Sequence, residues 1–186
     1  IKNLTLYVFS VDNWKRPKSE VNALMKLLVR SVKNEIEDIN KNNIRMRIIG
    51  SLDQLSKGVK SELVNASNLT FRNDGLNLNL AISYGSKTEI INAFKQIVEK
   101  VKKNIISIEN IDEKLINEHL YTKISKDVDL LIRTGGEFRL SNFLLWQNSY
   151  AELLFYDMLW PDFRKKDFYD SILTFQKRNR RFGKTN

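Results

Sequence analysis

Two forked cations six residues apart, Arg133 and Arg139, stand just beyond an apolar β-prone run at residues 130–132, within the stretch DLLIRTGGEFRLSNFLLWQNSYAELLF at residues 129–155. Guanidinium groups present paired N–H donors that match phosphate oxygens two at a time. A Gly135-Gly136 turn and Glu137 lie between them, and Leu140 and Ser141 follow where an apolar run of helical character begins. A hydroxyl and free backbone N–H groups at a helix start would add donors for an anion. An ordinary βα connection with solvated arginines uses the same residue types, so phosphate holding and a plain turn both stand at this point. A second block, FSVDNWKRPKSEV at residues 9–21, follows another apolar run and carries Ser10, Val11, Asp12, Asn13, Trp14 and Arg16. Asn13 is a poor base by itself and is better suited to orienting a water or a phosphate. By its own chemistry Trp14 reads as core packing. Glu152 reads as surface, and the basic tail with Arg181 and Gly183 as solvated.

Elements must carry these residues to one place. Residues 4–9 are apolar and β-prone, and Pro17 suits the first turn of a helix. Val21, Leu24, Met25, Leu28, Val32, Ile36 and Ile39 recur at helical spacing and predict one long amphipathic helix. Residues 45–49 alternate as a strand ended by Gly50, and 51–68 is helical in pattern. Leu76, Leu78, Leu80 and Ile82 alternate with Asn77, Asn79 and Ala81, a strand with one drier face. Ile90, Ile91, Phe94, Ile97, Val98 and Val101 form the next helical stripe, and Asp112 caps a short helix after it. Strand 129–133, helix 141–151, strand 153–156 and a final helix capped by Asp167 complete the reading. Strands alternating with helices of this length predict an α/β fold with a central, mostly parallel sheet flanked by helices. Such sheets bind ligands beyond the C-terminal ends of their strands, where both charged blocks fall.

Composition narrows the partners. The 186 residues, 42% hydrophobic, suit a single domain over 1–186 with a real core, and no repeat, linker or boundary is visible. The formal net charge of +9 suits nucleic acid, an anionic membrane or phosphorylated substrates. No basic, aromatic-studded sheet motif and no zinc spacing points to nucleic acid, which is set aside. The absence of cysteine excludes disulfides and thiolate catalysis. The single histidine, His119, sits in a polar helical stretch and reads as a surface residue. No apolar run approaches the ~20 residues needed to span a bilayer, and no signal peptide is visible. The chain reads as cytoplasmic, compatible with contact at the inner face of the membrane.

Four blocks in order carry a resemblance: residues 9–21, residues 129–155, Trp160-Pro161-Asp162-Phe163, and Arg178-Asn179-Arg180-Arg181-Phe182-Gly183. Together they resemble the cis-prenyltransferase family, of the undecaprenyl diphosphate synthase type. The resemblance implies that family's fold, with a hydrophobic tunnel lined by the early helices and the strand near Leu76, and condensation of isopentenyl diphosphate onto farnesyl diphosphate to make undecaprenyl diphosphate. It implies substrate binding by Arg133, Arg139 and Ser141 for isopentenyl diphosphate, by Trp14 and Arg16 for the allylic substrate, and also by Ser10, Val11, Asp12, Leu140, Arg181 and Gly183. It implies Asn13 with Ser10 in the proton-removal network, and Mg²⁺ as cofactor with Glu152 as the metal-linked carboxylate. Arg181 and Gly183 would reach the partner's site in a homodimer.

Departures from the family pattern accompany the resemblance. The family opens with an aspartate-bearing Met-Asp-Gly-Asn-x-Arg-Trp-Ala block that nothing here matches, so the domain is expected to be N-terminally incomplete. Phe138 stands where His or Gln is frequent, Val11 where Ser or Thr is frequent, and Ser86-Lys87 replaces a Gly-Arg pair. A non-catalytic partner subunit of another prenyltransferase is the alternative, though it has little reason to keep Arg133, Arg139, Ser141, Asn13 and Arg16 together.

Overall fold

The alternation of apolar and amide residues at 76–82 builds the middle strand of a sheet in a computed structural model that describes residues 1–125 and 127–182. Two compact units are present, Ile1–Ser125 and Lys126–Asn186. In the first, strands β1 (Asn3–Ser10), β2 (Arg45–Ile49) and β3 (Asn77–Tyr84) form a parallel sheet in the order β1-β3-β2. The register sets Leu4 and Met46 beside Leu78, and Leu6 and Ile48 beside Leu80. One face of all three strands is therefore apolar.

Helices α1 (Lys18–Lys41) and α2 (Lys57–Leu69) cover that face. The stripe Val21, Met25, Leu28 and Val32 is the buried side of α1. It packs with Phe9, Met46, Leu63, Ala66, Leu80 and Ile82 into one core. Each large apolar side chain so buried contributes about 1.5–3 kcal/mol before chain entropy is counted. Pro17 precedes α1 as its cap residue, and α2 starts later than its pattern predicts, at Lys57, where Ser56 accepts from Val59 N.

The opposite face is polar. Asn77 accepts from Arg47 Nε at 3.3 Å and donates to Asn3 at 3.1 Å, and Asn79 donates to Thr5 and Ser125. Helices α3 (Ser86–Lys102) and α4 (Glu113–His119) complete the unit, with Asp112 capping α4 as expected. Buried Glu89 of α3 accepts from the Tyr84 hydroxyl and from Tyr121 N, tying β3, α3 and the turn after α4 together. His119 is not a surface residue. It is buried, with Lys100 Nζ 2.7 Å from Nε2 and Leu115 O 2.7 Å from Nδ1, because α4 packs on α3.

In the second unit β4 (Leu130–Arg133) and β5 (Glu152–Phe155) pair in parallel, and α5 (Lys165–Gln176) follows. Asp167 serves α5 from its third position, accepting from Arg164 N at 2.8 Å. The helix expected over 141–151 does not form. Ser141, Asn142 and Leu144 adopt φ of 48°, 61° and 47°, which an α-helix cannot contain. Turns replace it, with Phe143 N donating to Leu140 O, Asn148 N to Leu144 O and the Asn148 side chain to Phe143 O. Among the described residues no helix is long and apolar enough to cross a membrane.

Candidate active site

β1 ends at Ser10, and the chain enters a 3-10 turn at Val11–Lys15. Ser10 Oγ accepts from Asn13 N at 3.2 Å while Ser10 N donates to Asn13 Oδ1 at 2.8 Å. This reciprocal pair satisfies both turn-start donors. It uses the carbonyl side of the Asn13 amide, and the Nδ2 donors have no partner among the described residues. Trp14 is half-buried, edge-on to Phe9 at 5.0 Å, with Nε1 donating to Ser83 Oγ at 2.9 Å. The core-packing reading of Trp14 therefore holds for its ring, while its N–H is held by a strand-end hydroxyl. Ser83 itself sits at φ 49°. Val11 is half-buried, and exposed Asp12 pairs with Lys15 at 2.8 Å. Arg16 pairs with Glu20 at 2.7 Å, both half-exposed, a contact weak enough for a phosphate to displace. Burial holds the nearby Tyr7 phenol above its usual pKa; a hydrogen bond to Ser10 opposes this and the Asp12 carboxylate adds to it.

In the second unit Arg133 ends β4 and reaches across its own loop. Its Nη1 donates to Arg139 O and to Ser141 Oγ, the latter at 2.8 Å. Arg139 is exposed and its Nη1 donates to Glu137. Arg133, Arg139 and Ser141 thus lie together in one loop with half-buried Leu140 between them. The backbone donors of the Gly135-Gly136 turn are engaged within the chain. Gly135 N donates to Met158 O at 2.8 Å and Gly136 N to Tyr156 O at 3.0 Å. Both glycines adopt positive φ, 93° and 70°, which lets the turn fold back on the segment after β5. Phe138 projects into solvent, 75% exposed, with its ring 5.2 Å from Phe155.

Glu152 opens β5, half-buried, and its Oε2 accepts from Arg178 Nη1 at 2.6 Å, which also donates to Leu153 O. No group of three His, Cys, Asp or Glu side chains able to hold a metal occurs among the described residues. One carboxylate already paired with an arginine does not make a Mg²⁺ site by itself. Arg181 is exposed, and Gly183 lies outside the described residues. Arg180 donates to Asp129 at 2.5 Å and stacks on Phe182, so the basic tail is not wholly solvated. Sequence reading missed Ser83, Glu137 and Arg178 as partners of Trp14, Arg139 and Glu152. Only Glu137 lay within a recognised spacing; the other two are long-range pairs with no local signal.

Parallel α/β units with amide, hydroxyl and guanidinium side chains gathered just past strand ends define a class of ligand-handling α/β proteins. The family described as "Putative undecaprenyl diphosphate synthase" matches residues 1–183, and the chain belongs to it. It is 48% identical over 185 residues, all of this chain and 77% of the relative, to the ditrans,polycis-undecaprenyl-diphosphate synthase ((2E,6E)-farnesyl-diphosphate specific) of Haemophilus influenzae. Two solved structures are similar. Lavandulyl diphosphate synthase from Lavandula x intermedia, in complex with dimethylallyl diphosphate, matches with TM-score 0.96 and 34% identity over 99% of this chain and 80% of that one. A probable undecaprenyl diphosphate synthase from Campylobacter jejuni matches with TM-score 0.88 and 42% identity over 99% and 84%.

Proposed function

We propose that this protein is a cis-prenyltransferase that condenses isopentenyl diphosphate onto farnesyl diphosphate, repeatedly, to make undecaprenyl diphosphate, the precursor of a lipid carrier for cell-wall polysaccharide synthesis. The observation that carries this is the loop that brings Arg133, Arg139 and Ser141 together in a chain of this family. In each cycle a carbon–carbon bond forms to the allylic carbon, the diphosphate leaves, and a proton leaves the condensing unit. Arg133 and Arg139 hold the diphosphate of isopentenyl diphosphate, and the Ser141 hydroxyl adds a donor. Arg133, braced on the Arg139 carbonyl, also keeps the loop in register with its ligand. Asn13 points its Nδ2 donors at a water or a phosphate oxygen that takes the departing proton, with Ser10 holding its carbonyl side. Val11, Asp12, Trp14 and Arg16 border the allylic substrate, and the apolar layer between the sheet and α1 and α2 is the place for the growing chain. Leu140 flanks the bound diphosphate.

Mg²⁺ belongs to this proposal as the counter-ion of the diphosphates, with Glu152 released from Arg178 as the side chain nearest in chemistry to it. The working form is a homodimer, with Arg181 and Gly183 serving the partner's site, in the cytoplasm and touching the inner face of the membrane. Similarity to a structure holding an allylic diphosphate supports the substrate class. The test is incorporation of radiolabelled isopentenyl diphosphate with farnesyl diphosphate and Mg²⁺, with products sized chromatographically. A ladder ending at a long polyprenyl product is expected. No incorporation alone, but stimulation of a second prenyltransferase subunit, would mean a non-catalytic partner instead.

A further inference from the structure

Arg45, Arg47 and Lys123 line one cavity of about 270 Å³ with no acidic residue in its wall. Arg45 and Arg47 alternate with Met46 along the edge strand β2, so they stand on the face opposite the α1 and α2 core. None of the three cations has an ion pair among the described residues. Like charges two residues apart on one strand face repel. Burial and the Arg45 charge together lower the pKa of Arg47. Yet both guanidinium groups are held in place. Arg45 lies over the Phe71 ring at 4.5 Å, and Arg47 Nε donates to Asn77 Oδ1 at 3.3 Å.

Three hydroxyl residues also line the wall; Ser67 spends its proton on Met46 O, and two remain. Ser125 Oγ accepts from Asn79 and Tyr121 Oη accepts from Asn92 at 2.7 Å, so each keeps its own proton for another acceptor. Forked donors, an ammonium and two hydroxyls around one hollow make a donor set for a multiply charged oxyanion. The site is separate from the 3-10 turn after β1. Arg45 is beside Asn77 at the start of β3, whereas Ser10 is beside Tyr84 at its end. Seven residues of strand place the two about 23 Å apart.

We propose that this cavity is a second, non-catalytic binding site for a phosphate-bearing ligand, either a free diphosphate or the headgroup of an anionic lipid. It stands whether or not the proposed activity is right. Exposed Phe71 and Ile124 on its wall add apolar surface that the glycerol and acyl region of a lipid would meet and that a free diphosphate would not need.

The test uses the full chain with Arg side-chain NMR and calorimetry, titrating inorganic diphosphate in one arm and phosphatidylglycerol vesicles, against phosphatidylcholine vesicles, in the other. Arg45 and Arg47 Nε resonances should shift in one arm. R45Q/R47Q should lose at least tenfold in affinity in that arm, while R133A/R139A keeps the shifts. K123Q, on a turn, should weaken the same binding severalfold and covers the case in which the double variant does not fold. Loss in the vesicle arm alone assigns the ligand to lipid, and loss in the diphosphate arm alone to a free phosphate compound. Unchanged binding by R45Q/R47Q and K123Q in both arms, or no shift at Arg45 and Arg47 in wild type, overturns the proposal.

Discussion

Arg133 has two jobs, and Arg139 one. Arg133 braces its loop through the Arg139 carbonyl and Ser141 as well as offering charge, whereas among the described residues the Arg139 side chain pairs with Glu137. Loss of a charge-assisted phosphate contact costs about 1.5–3 kcal/mol. Arg139→Ala should therefore raise the Michaelis constant for isopentenyl diphosphate about ten- to hundredfold with turnover nearly kept. Arg133→Ala should lower turnover as well. Steady-state kinetics on the two variants check this, and identical profiles would show that the bracing is idle. Asn13 separates structure from chemistry in a similar way. Asn13→Asp keeps the oxygen that accepts from Ser10 N and loses the Nδ2 donors, while Asn13→Ala loses both. The Asp variant should melt within about 0.5 kcal/mol of wild type and still incorporate little label. The Ala variant should also lose about 1 kcal/mol of stability. Wild-type turnover by Asn13→Asp would remove Asn13 from the reaction.

At the scale of elements, backbone strain marks the places where the local fold is held against its preference. Three non-glycine residues with positive φ, Ser141, Asn142 and Leu144, fall in the segment after the arginine loop. Such conformations cost about 1–3 kcal/mol each and persist where the surroundings impose them. Ser141→Gly relieves the positive φ but loses the hydroxyl that braces Arg133 and loosens the unfolded chain, so its stability in urea unfolding should move by less than about 1 kcal/mol while substrate use weakens. Unchanged kinetics would detach Ser141 from the site. Gly50 shows the opposite case. It ends β2 at φ 119°, and a Cβ there would lie 2.1 Å from Ile82 O of the neighbouring strand. Gly50→Ala must part β2 from β3 and should cost about 3 kcal/mol or more, read as a lowered urea midpoint.

For the whole molecule the proposed homodimer is the open quantity. Light scattering should give twice the chain mass. Residues 141–151 form turns rather than an apolar helix, so no helix face is presented there. Exposed Leu159, Trp160, Tyr169 and Leu173 supply apolar surface in the second unit instead. Trp160→Glu should then shift the mass toward that of one chain without unfolding it, since Trp160 is 62% exposed. A monomer for the wild-type protein would remove Arg181 from any partner site.

Much of this protein is legible from its residues in order. The apolar stripe from Val21 to Val32 dictates α1, and the Leu and Asn alternation dictates β3. Asp112 caps α4, and the charged blocks do follow β1 and β4. Local spacing decides these because burying a face needs only a period. What a period cannot carry is a choice between two uses of the same apolar run. At 141–151 helical spacing yielded to turns because Ser141, Asn142 and Leu144 take positive φ and Asn148 bonds back to Phe143 O. Nor can spacing report which cation a distant carboxylate will meet. The pairing of Glu152 with Arg178, of Trp14 with Ser83 and of His119 with Lys100 joins residues 26, 69 and 19 apart. Those contacts form only after the elements have packed, so tertiary structure alone decides which polar groups meet which partners.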